Sequence, residues 1–254
     1  MCITSYSNSI GIIVVGGSGG IGSAVARELK SAGACVVITG RNTNRLAIVG
    51  QDMGVEYRGF DACDSSEVDA VLREVHGLHD QLDGVVCCAG SILLKPAHLT
   101  TDAEFEATLA TNLTTAFNVL RTAAQIMMQQ PTGGSIVLCS SVAARRGLIN
   151  HEAIAAAKAG VEGLALSAAA SYARYKVRVN CVAPGLTRTG LTAALTGNPA
   201  VAKAATALHP LGRVGEPDDM ASAICWLLDS ARSSWVTGQV LGVDGGMASV
   251  QARA

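Results

Sequence analysis

The sequence predicts a single α/β domain in which a doubly wound sheet of about seven parallel strands is flanked by helices. Two observations lead to this fold class. Short apolar runs rich in β-branched residues alternate along the chain with segments of helical periodicity. The first apolar run leads directly into a glycine-rich turn and then a helix. The 254 residues fit one domain, and no linker or repeat divides the range 1–254.

The strands are predicted where the apolar runs are continuous, as expected for strands that are buried on both faces of a parallel sheet. Six such runs cover residues 10–15, 35–39, 84–88, 135–139, 177–183 and 239–243. Residues 55–60 supply a further predicted strand, which brings the number to about seven. Helices are predicted between them, at 21–31, 65–75, 104–129, 152–173 and 218–228. Capping signals support three of these starts: Thr101 with Glu104 and Asp64 with Glu67 have capping-box spacing, and Pro217 fits a first helical turn.

Composition and charge argue against several classes of protein. The chain has 49% hydrophobic residues, 15% charged residues and a net charge of -1, and its basic residues form no block beyond Arg145 and Arg146. This pattern gives no surface for nucleic acid. The apolar runs are shorter than the roughly 20 residues that cross a membrane, and residues 1–9 lack the features of a secretory signal. We therefore expect a cytoplasmic protein with no membrane partner.

The sequence predicts neither disulfides nor a metal site. Most of the eight cysteines lie inside apolar runs, where a thiol behaves as a small hydrophobic group. A short cluster of His76, His79 and Asp80 closes one predicted helix. We interpret it as a solvated helix end, because no further metal ligand can be assigned to it.

The glycine-rich turn at residues 15–22, which reads VGGSGGIG, predicts a dinucleotide site. Glycines let the backbone approach a pyrophosphate, whose charge then lies against free amides at the positive end of the helix dipole. The next predicted strand ends at Gly40 and Arg41, where an acidic residue would accept the ribose 2′-hydroxyl of NAD(H). Gly40 brings no carboxylate and Arg41 matches a 2′-phosphate, so NADP(H) is preferred and NAD(H) is possible. In the alternative, Arg41 only stacks on adenine and makes no choice between the nucleotides.

Over residues 10–247 the chain resembles the short-chain dehydrogenase/reductase family, whose fold is a Rossmann fold. The resemblance rests on the glycine turn, on Asp61, on Cys87-Cys88-Ala89-Gly90 in place of the family's Asn-Asn-Ala-Gly, on Asn112, on Ser141, on the segment 184–189 and on the tail 237–246. It implies a homotetramer, although the sequence alone does not separate a tetramer from a dimer. It also implies that the cofactor is bound by Gly16, Ser18, Gly20, Ile21, Gly22, Arg41, Asp61, Ala62, Ala89, Gly90, Lys158, Pro184, Gly185, Thr187 and Thr189.

The chain departs from this family at the residue that handles the proton. Family members carry Tyr-x3-Lys, in which the lysine lowers the tyrosine pKa and the tyrosine passes a proton to a carbonyl oxygen. Lys158 matches the lysine, but Ile154 stands at the tyrosine position. Ser141 lies 13 residues before Ile154, which is the family's usual spacing, so the alignment is not shifted.

His151 is a candidate for the missing proton donor. On a helix, residues 151, 154 and 158 would share one face. The enoyl-thioester reductases, a branch of the resembled family, place their tyrosine seven residues before the lysine, where this chain has His151. Asn112, Ser141, His151 and Lys158 are thus the candidate catalytic residues. In the alternative, His151 only caps the helix or bonds a backbone carbonyl.

These features predict an NADPH-dependent reductase of an activated C=C or C=N bond, with His151 or water as the proton source. Two alternatives stay open: a carbonyl reductase or alcohol dehydrogenase in which His151 replaces the tyrosine, and a cofactor-binding protein without hydride chemistry. The segment 187–212 is predicted to be the substrate lid. Its few charges favour a small, apolar or neutral substrate.

Overall fold

A computed structural model describes residues 11–251, and its centre is a seven-stranded parallel sheet. The sheet has the strand order β3-β2-β1-β4-β5-β6-β7. Its strands are β1 (Gly11–Val15), β2 (Cys35–Gly40), β3 (Glu56–Gly59), β4 (Gly84–Cys87), β5 (Gly134–Cys139), β6 (Val177–Pro184) and β7 (Val240–Val243). The predicted fold class is therefore confirmed. Residue 10, which the prediction included in the first strand, lies outside the described residues.

The helices cover both faces of the sheet. They are α1 (Gly20–Ser31), α2 (Thr43–Met53), α3 (Ser65–His79), α4 (Asp102–Leu109), α5 (Thr115–Met127), α6 (Glu152–Tyr172), α7 (Ala193–Thr196), α8 (Pro199–Ala207) and α9 (Pro217–Leu228). Ile13 and Val15 of β1 pack in one core layer with α3, α5 and α6. Ile12 and Val14 pack in the other layer with α1 and α9. Because alternate residues of β1 enter different layers, the strand needs the continuous apolar run that the sequence carries.

The order of the strands creates a crevice at the carboxyl edge of the sheet. β1 pairs with β2 on one side and with β4 on the other. The chain therefore winds in opposite directions from β1. In open α/β sheets a ligand crevice lies outside the carboxyl ends of the strands at this switch point.

The structure corrects two of the predicted helices and adds one that was not predicted. The segment predicted as one helix at 104–129 is divided by a π-helical turn, Ala110–Thr114, between α4 and α5. The helix predicted at 65–75 continues to His79, which precedes the left-handed C-cap Asp80. The sequence prediction missed α2, which starts at the N-cap Asn42. This helix buries only Leu46 and Gly50, so its apolar stripe is too narrow to stand out in the sequence.

The predicted caps are present with one difference. Thr101 and Glu104 form the complete capping box at α4, and Pro217 occupies the first turn of α9. Asp64 accepts hydrogen bonds from the amides of Ser66 and Glu67 at the start of α3. The carboxylate of Glu67, however, accepts from the Asp61 amide and thereby fixes the loop before the helix instead of closing a box.

One stretch, Glu152–Tyr175, is long and apolar enough to span a membrane by length and composition, but a core helix passes the same test. Here α6 contributes Val161, Ala165 and Ala169 to the core layer that it shares with α5 and β6. The cysteines between residues 11 and 251 are thiols, and in the same range no three His, Cys, Asp or Glu residues could hold a metal.

Candidate active site

The glycine turn between β1 and α1 presents much bare backbone to the crevice. The amides of Gly16 and Gly17 donate to the Thr39 carbonyl oxygen at 2.8 and 3.0 Å, which ties the turn to β2. Gly16 has a φ of 80°, and a Cβ at Gly22 would overlap the Gly16 carbonyl oxygen. α1 follows the N-cap Gly19, which makes no side-chain cap hydrogen bond. The first amides of α1 are therefore available to an anion.

A cavity of about 460 Å³ lies over this turn. This volume is in the range of small-molecule and cofactor sites. Eleven of the predicted cofactor-binding residues line it, namely Gly16, Ser18, Gly20, Ile21, Gly22, Arg41, Asp61, Ala62, Ala89, Gly90 and Thr189. The sequence prediction omitted other residues of the wall, including Asn42, Arg45, Cys63, Cys88, Thr111 and Thr115.

One local and two long-range hydrogen bonds shape the wall of the cavity after β3. Asp61 accepts a hydrogen bond from the Cys63 amide at 2.9 Å. Asn118 of α5 donates through its Nδ2 atom to the carbonyl oxygens of Ala62 and Cys63, both at 3.1 Å. Asn118 thus holds the loop that follows Asp61, a role that its position inside an apolar helix does not reveal in the sequence.

Asn112 and Lys158 meet at the far end of the crevice, beside Gly90. A Cβ at Gly90 would lie 2.9 Å from Asn112 Oδ1 and 3.4 Å from Lys158 Nζ, so only glycine leaves room there. Asn112 sits in the π-helical turn, where its Nδ2 donates to the Thr108 carbonyl and to Ser91 Oγ, each at 3.0 Å. The wider turn brings this amide into the crevice.

Lys158 is buried at the same place. Its Nζ atom donates to the carbonyl oxygen of Cys139 at 2.8 Å. Burial lowers the pKa of Lys158, because a charged ammonium loses its hydration there. An ammonium has three donors, so further hydrogen bonds can be offered to a ligand.

Ser141 follows β5, and its Oγ accepts a hydrogen bond from the Ala143 amide at 3.2 Å. The preceding residue belongs to a network that sequence reasoning missed. Ser140 Oγ donates to Glu162 Oε1 at 2.9 Å, and Arg145 Nε donates to Glu162 Oε2 at 2.6 Å. This network joins the end of β5 to α6 next to Lys158.

Ile154 and His151 lie at the start of α6 but in different surroundings. Ile154 is 4% exposed and packs as a core residue. His151 is the N-cap, with φ −108° and ψ 13°, so the helical spacing that links Ile154 to Lys158 does not extend to it. Its Nδ1 atom lies 2.7 Å from the carbonyl oxygen of Ile149. This contact is the one expected if His151 only bonds a backbone carbonyl, which is the alternative to a role as proton donor.

The predicted cofactor-binding residues in the segment 184–189 do not all lie at the same cavity. Thr189 packs on the glycine turn, since a Cβ at Gly20 would lie 2.7 Å from Thr189 Cγ2. Thr187 is buried and donates to the Gly185 carbonyl oxygen at 3.1 Å. Pro184 ends β6, while Gly185 borders a second cavity, of about 320 Å³, beside His209. The structure thus brings Thr189, but not Pro184, Gly185 or Thr187, to the wall of the larger cavity.

Comparison with known proteins identifies the family. The family described as enoyl-(acyl carrier protein) reductase matches residues 15–248. An uncharacterized oxidoreductase of Mycobacterium tuberculosis is 35% identical over 245 residues, which cover 92% of this chain and 90% of that protein. The 3-oxoacyl-(acyl-carrier-protein) reductase of Chlamydia muridarum is 34% identical, covering 93% of this chain and 96% of that protein.

A solved structure agrees with this assignment. A short-chain type dehydrogenase/reductase from Mycobacterium ulcerans superposes with a TM-score of 0.91 at 35% identity, covering 96% of this chain and 91% of that chain. Its identity and coverage are close to those of the sequence relatives. The chain belongs to the short-chain dehydrogenase/reductase family of oxidoreductases, which use nicotinamide cofactors.

Proposed function

We propose that this protein is an NADP(H)-dependent reductase of an activated C=C or C=N bond. One observation carries the proposal: Asn112 and Lys158 meet beside a nucleotide-sized cavity, whereas the buried Ile154 stands where a carbonyl reductase of this family has its tyrosine. A carbonyl oxygen needs a proton as hydride arrives. An enone or an iminium is already polarised by its own substituent, so its reduction depends less on a phenol.

The bare backbone of the glycine turn fits the phosphates of a nicotinamide dinucleotide. Side chains at Gly16, Gly20 and Gly22 would each overlap neighbouring atoms, so the backbone there is left bare. We expect the amides of the turn and of the first turn of α1 to hold the pyrophosphate. Lys158 would hold the ribose of the nicotinamide, and Asn112 beside it would hold a water of the proton relay. The bound cofactor would supply the hydride.

Two arginines support the preference for NADP(H). Arg41 and Arg45 border the same part of the cavity, and Arg45 was not among the predicted residues. A Cβ at Gly40 would meet no atom closer than 3.9 Å, so this position has space but carries no carboxylate. A phosphate on the 2′ position would therefore meet positive charge without an opposing acid.

Gly40→Asp is expected to reverse the nucleotide preference. The new carboxylate would repel a 2′-phosphate and accept a hydrogen bond from a 2′-hydroxyl. We expect the ratio of the Kd for NADH to the Kd for NADPH to fall by at least about 10-fold, which corresponds to about 1.4 kcal/mol. Fluorescence titration of both nucleotides measures it. Gly40→Asn is the control, since it has the same shape without the charge, and an equal shift in both variants would exclude repulsion as the cause.

The experiment that tests the proposed reaction is product analysis with paired substrates. The protein and NADPH are incubated with an α,β-unsaturated ketone, with the matching saturated ketone and with a cyclic iminium ion. We expect the saturated ketone or the amine as product and little alcohol. Alcohol as the main product would instead support the carbonyl reductase alternative, which is favoured by the similarity to a 3-oxoacyl-(acyl-carrier-protein) reductase.

His151 is our candidate proton donor, with water as the other source. Because its Nδ1 faces the Ile149 carbonyl oxygen, donation would use Nε2 of the doubly protonated ring. His151→Ala is expected to lower kcat about 100-fold while the Kd for NADPH stays unchanged. The neighbouring Glu152→Ala serves as the control, since this side chain is exposed. An unchanged kcat in His151→Ala would assign the proton to water.

We also infer a cytoplasmic homo-oligomer, a dimer or a tetramer, that takes a small apolar or neutral substrate. The helices α5 and α6 leave large apolar side chains exposed, with Phe117 at 45% and Leu166 at 62%. An apolar surface of this kind favours packing against a second copy. Sedimentation of the purified protein measures the assembly.

A further inference from the structure

Two thiols meet at the carboxyl edge of the sheet, where β4 and β5 end. The sulfur atoms of Cys88 and Cys139 lie 3.4 Å apart. Cys87 pairs with Leu138 in the register of β4 and β5, so Cys88 and Cys139 are the next positions on the two strands. Neighbouring strands lie about 4.8 Å apart. That spacing falls within the Cα separations, about 4.4 to 6.8 Å, that a disulfide can bridge.

Both side chains also point to the same face of the sheet. They pack on the core layer that contains Val86 and Val137, whereas Cys87 and Cys181 belong to the opposite layer. Cys88 and Cys139 are half-buried, and Cys88 lines the nucleotide cavity. A small oxidant that enters the cavity therefore reaches this pair before the fully buried thiols.

The charges around the pair activate one of the two sulfurs. A hydrogen bond from the Cys88 thiol lowers the pKa of Cys139, burial opposes this shift, and the ammonium of Lys158 supports it, so that the pKa is lowered on balance. Lys158 is held against this strand end by its bond to the Cys139 carbonyl oxygen. A lower pKa raises the fraction of thiolate, which is the nucleophilic form. Cys139 is thus the sulfur suited to attack first and Cys88 the one suited to follow.

We propose that Cys88 and Cys139 form a peroxide-sensitive dithiol site that closes to an intramolecular disulfide. The Cys139 thiolate attacks one oxygen of hydrogen peroxide, the O–O bond breaks, and the leaving hydroxide takes a proton to become water. Cys88 then attacks the resulting sulfenic acid, the S–O bond breaks, and a second water leaves with the Cys88 proton. Two thiols are oxidised by two electrons in total, and one peroxide is reduced to two waters.

The disulfide changes the floor of the nucleotide cavity. Its S–S bond is about 2.05 Å long, so the two sulfurs approach each other by about 1.4 Å. Cys139 takes part in this movement, and its backbone carbonyl oxygen accepts the hydrogen bond from Lys158 Nζ. We therefore expect bound nucleotide to shield the pair and the disulfide to weaken nucleotide binding. This second expectation rests on the proposed function, whereas closure of the disulfide does not.

The first experiment measures the bond itself. The reduced protein is treated with hydrogen peroxide, quenched with an alkylating reagent and examined by intact-mass and peptide mass spectrometry. We expect two fewer alkyl groups per chain than in the untreated control, a linked peptide that contains Cys88 and Cys139, and full reversal by dithiothreitol. Cys88→Ser and Cys139→Ser should each abolish that linkage. Cys35→Ser is the control and should retain it, because Cys35 starts β2 at the opposite edge of the sheet.

The outcomes separate this proposal from the proposed function. A wild-type protein that takes up as many alkyl groups after peroxide as the untreated control, or that links another pair of cysteines, contradicts the dithiol site. This result does not depend on the folding of any variant. Saturating NADPH is expected to slow closure at least about 10-fold. Equal rates with bound NADPH would overturn the shielding. If NADPH does not bind at all, the proposed function fails while the disulfide result stands.

Discussion

Replacement of Ile154 with tyrosine is expected to raise kcat/KM for a ketone at least about 100-fold, the usual contribution of a positioned general acid. The introduced phenol would stand one helical turn before Lys158 on α6, and the nearby ammonium would lower its pKa. Ser141 is already present at the end of β5. The variant would therefore complete the group of residues that the family uses for carbonyl reduction. NADPH oxidation and alcohol formation measure the gain.

Ile154→Phe is the matched control, because it adds the ring without the hydroxyl group. Ile154 is buried, so either ring is expected to cost about 1 to 3 kcal/mol of unfolding free energy through overpacking. Thermal unfolding of both variants measures this cost. Equal ketone reduction by the two variants would show that no phenol acts. A gain in Ile154→Tyr from a parent that is inert on every substrate would favour the non-catalytic alternative.

Gly16→Ala is expected to weaken nucleotide binding at least about 100-fold, or about 2.7 kcal/mol. Gly16 has a φ of 80°, and its Cβ would lie 2.8 Å from the Ala89 amide nitrogen and 2.9 Å from the Cys88 carbonyl carbon. A left-handed conformation costs an L-residue about 1 to 2 kcal/mol. Because both neighbouring atoms are backbone, relief of the overlap must also move the β4 end of the cavity. Titration with NADPH measures the loss.

Gly54→Ala separates the two causes of this effect. Gly54 also has a positive φ, 62°, but a Cβ there would meet no atom within 4 Å. This variant is expected to lose about 1 kcal/mol of stability through backbone strain and to keep the wild-type Kd for NADPH. A Gly16→Ala protein that binds NADPH like the wild type would contradict the role given to the turn.

Much of the fold could be predicted because its signals are local in the chain. The strands β1, β2, β4 and β5 are largely apolar runs, and the glycine turn follows the first of them directly. The placement of Ile154 one helical turn before Lys158 could be predicted for the same reason, because their spacing is local. The helix α2 was missed because it buries too few side chains to leave a periodic pattern.

The alternation of strands and helices, the glycine turn after the first strand and the presence of Ile154 four residues before Lys158 are encoded in the amino-acid sequence alone. Which distant side chains meet depends on the packing of the whole chain. Cys88 and Cys139 are 51 positions apart along the chain, and Asn118 reaches a loop 55 positions away from it. His151 lies just before the first residue of α6 and contacts the Ile149 carbonyl oxygen. Local periodicity encodes secondary structure, whereas contacts of this kind depend on how the packed strands and helices align their ends.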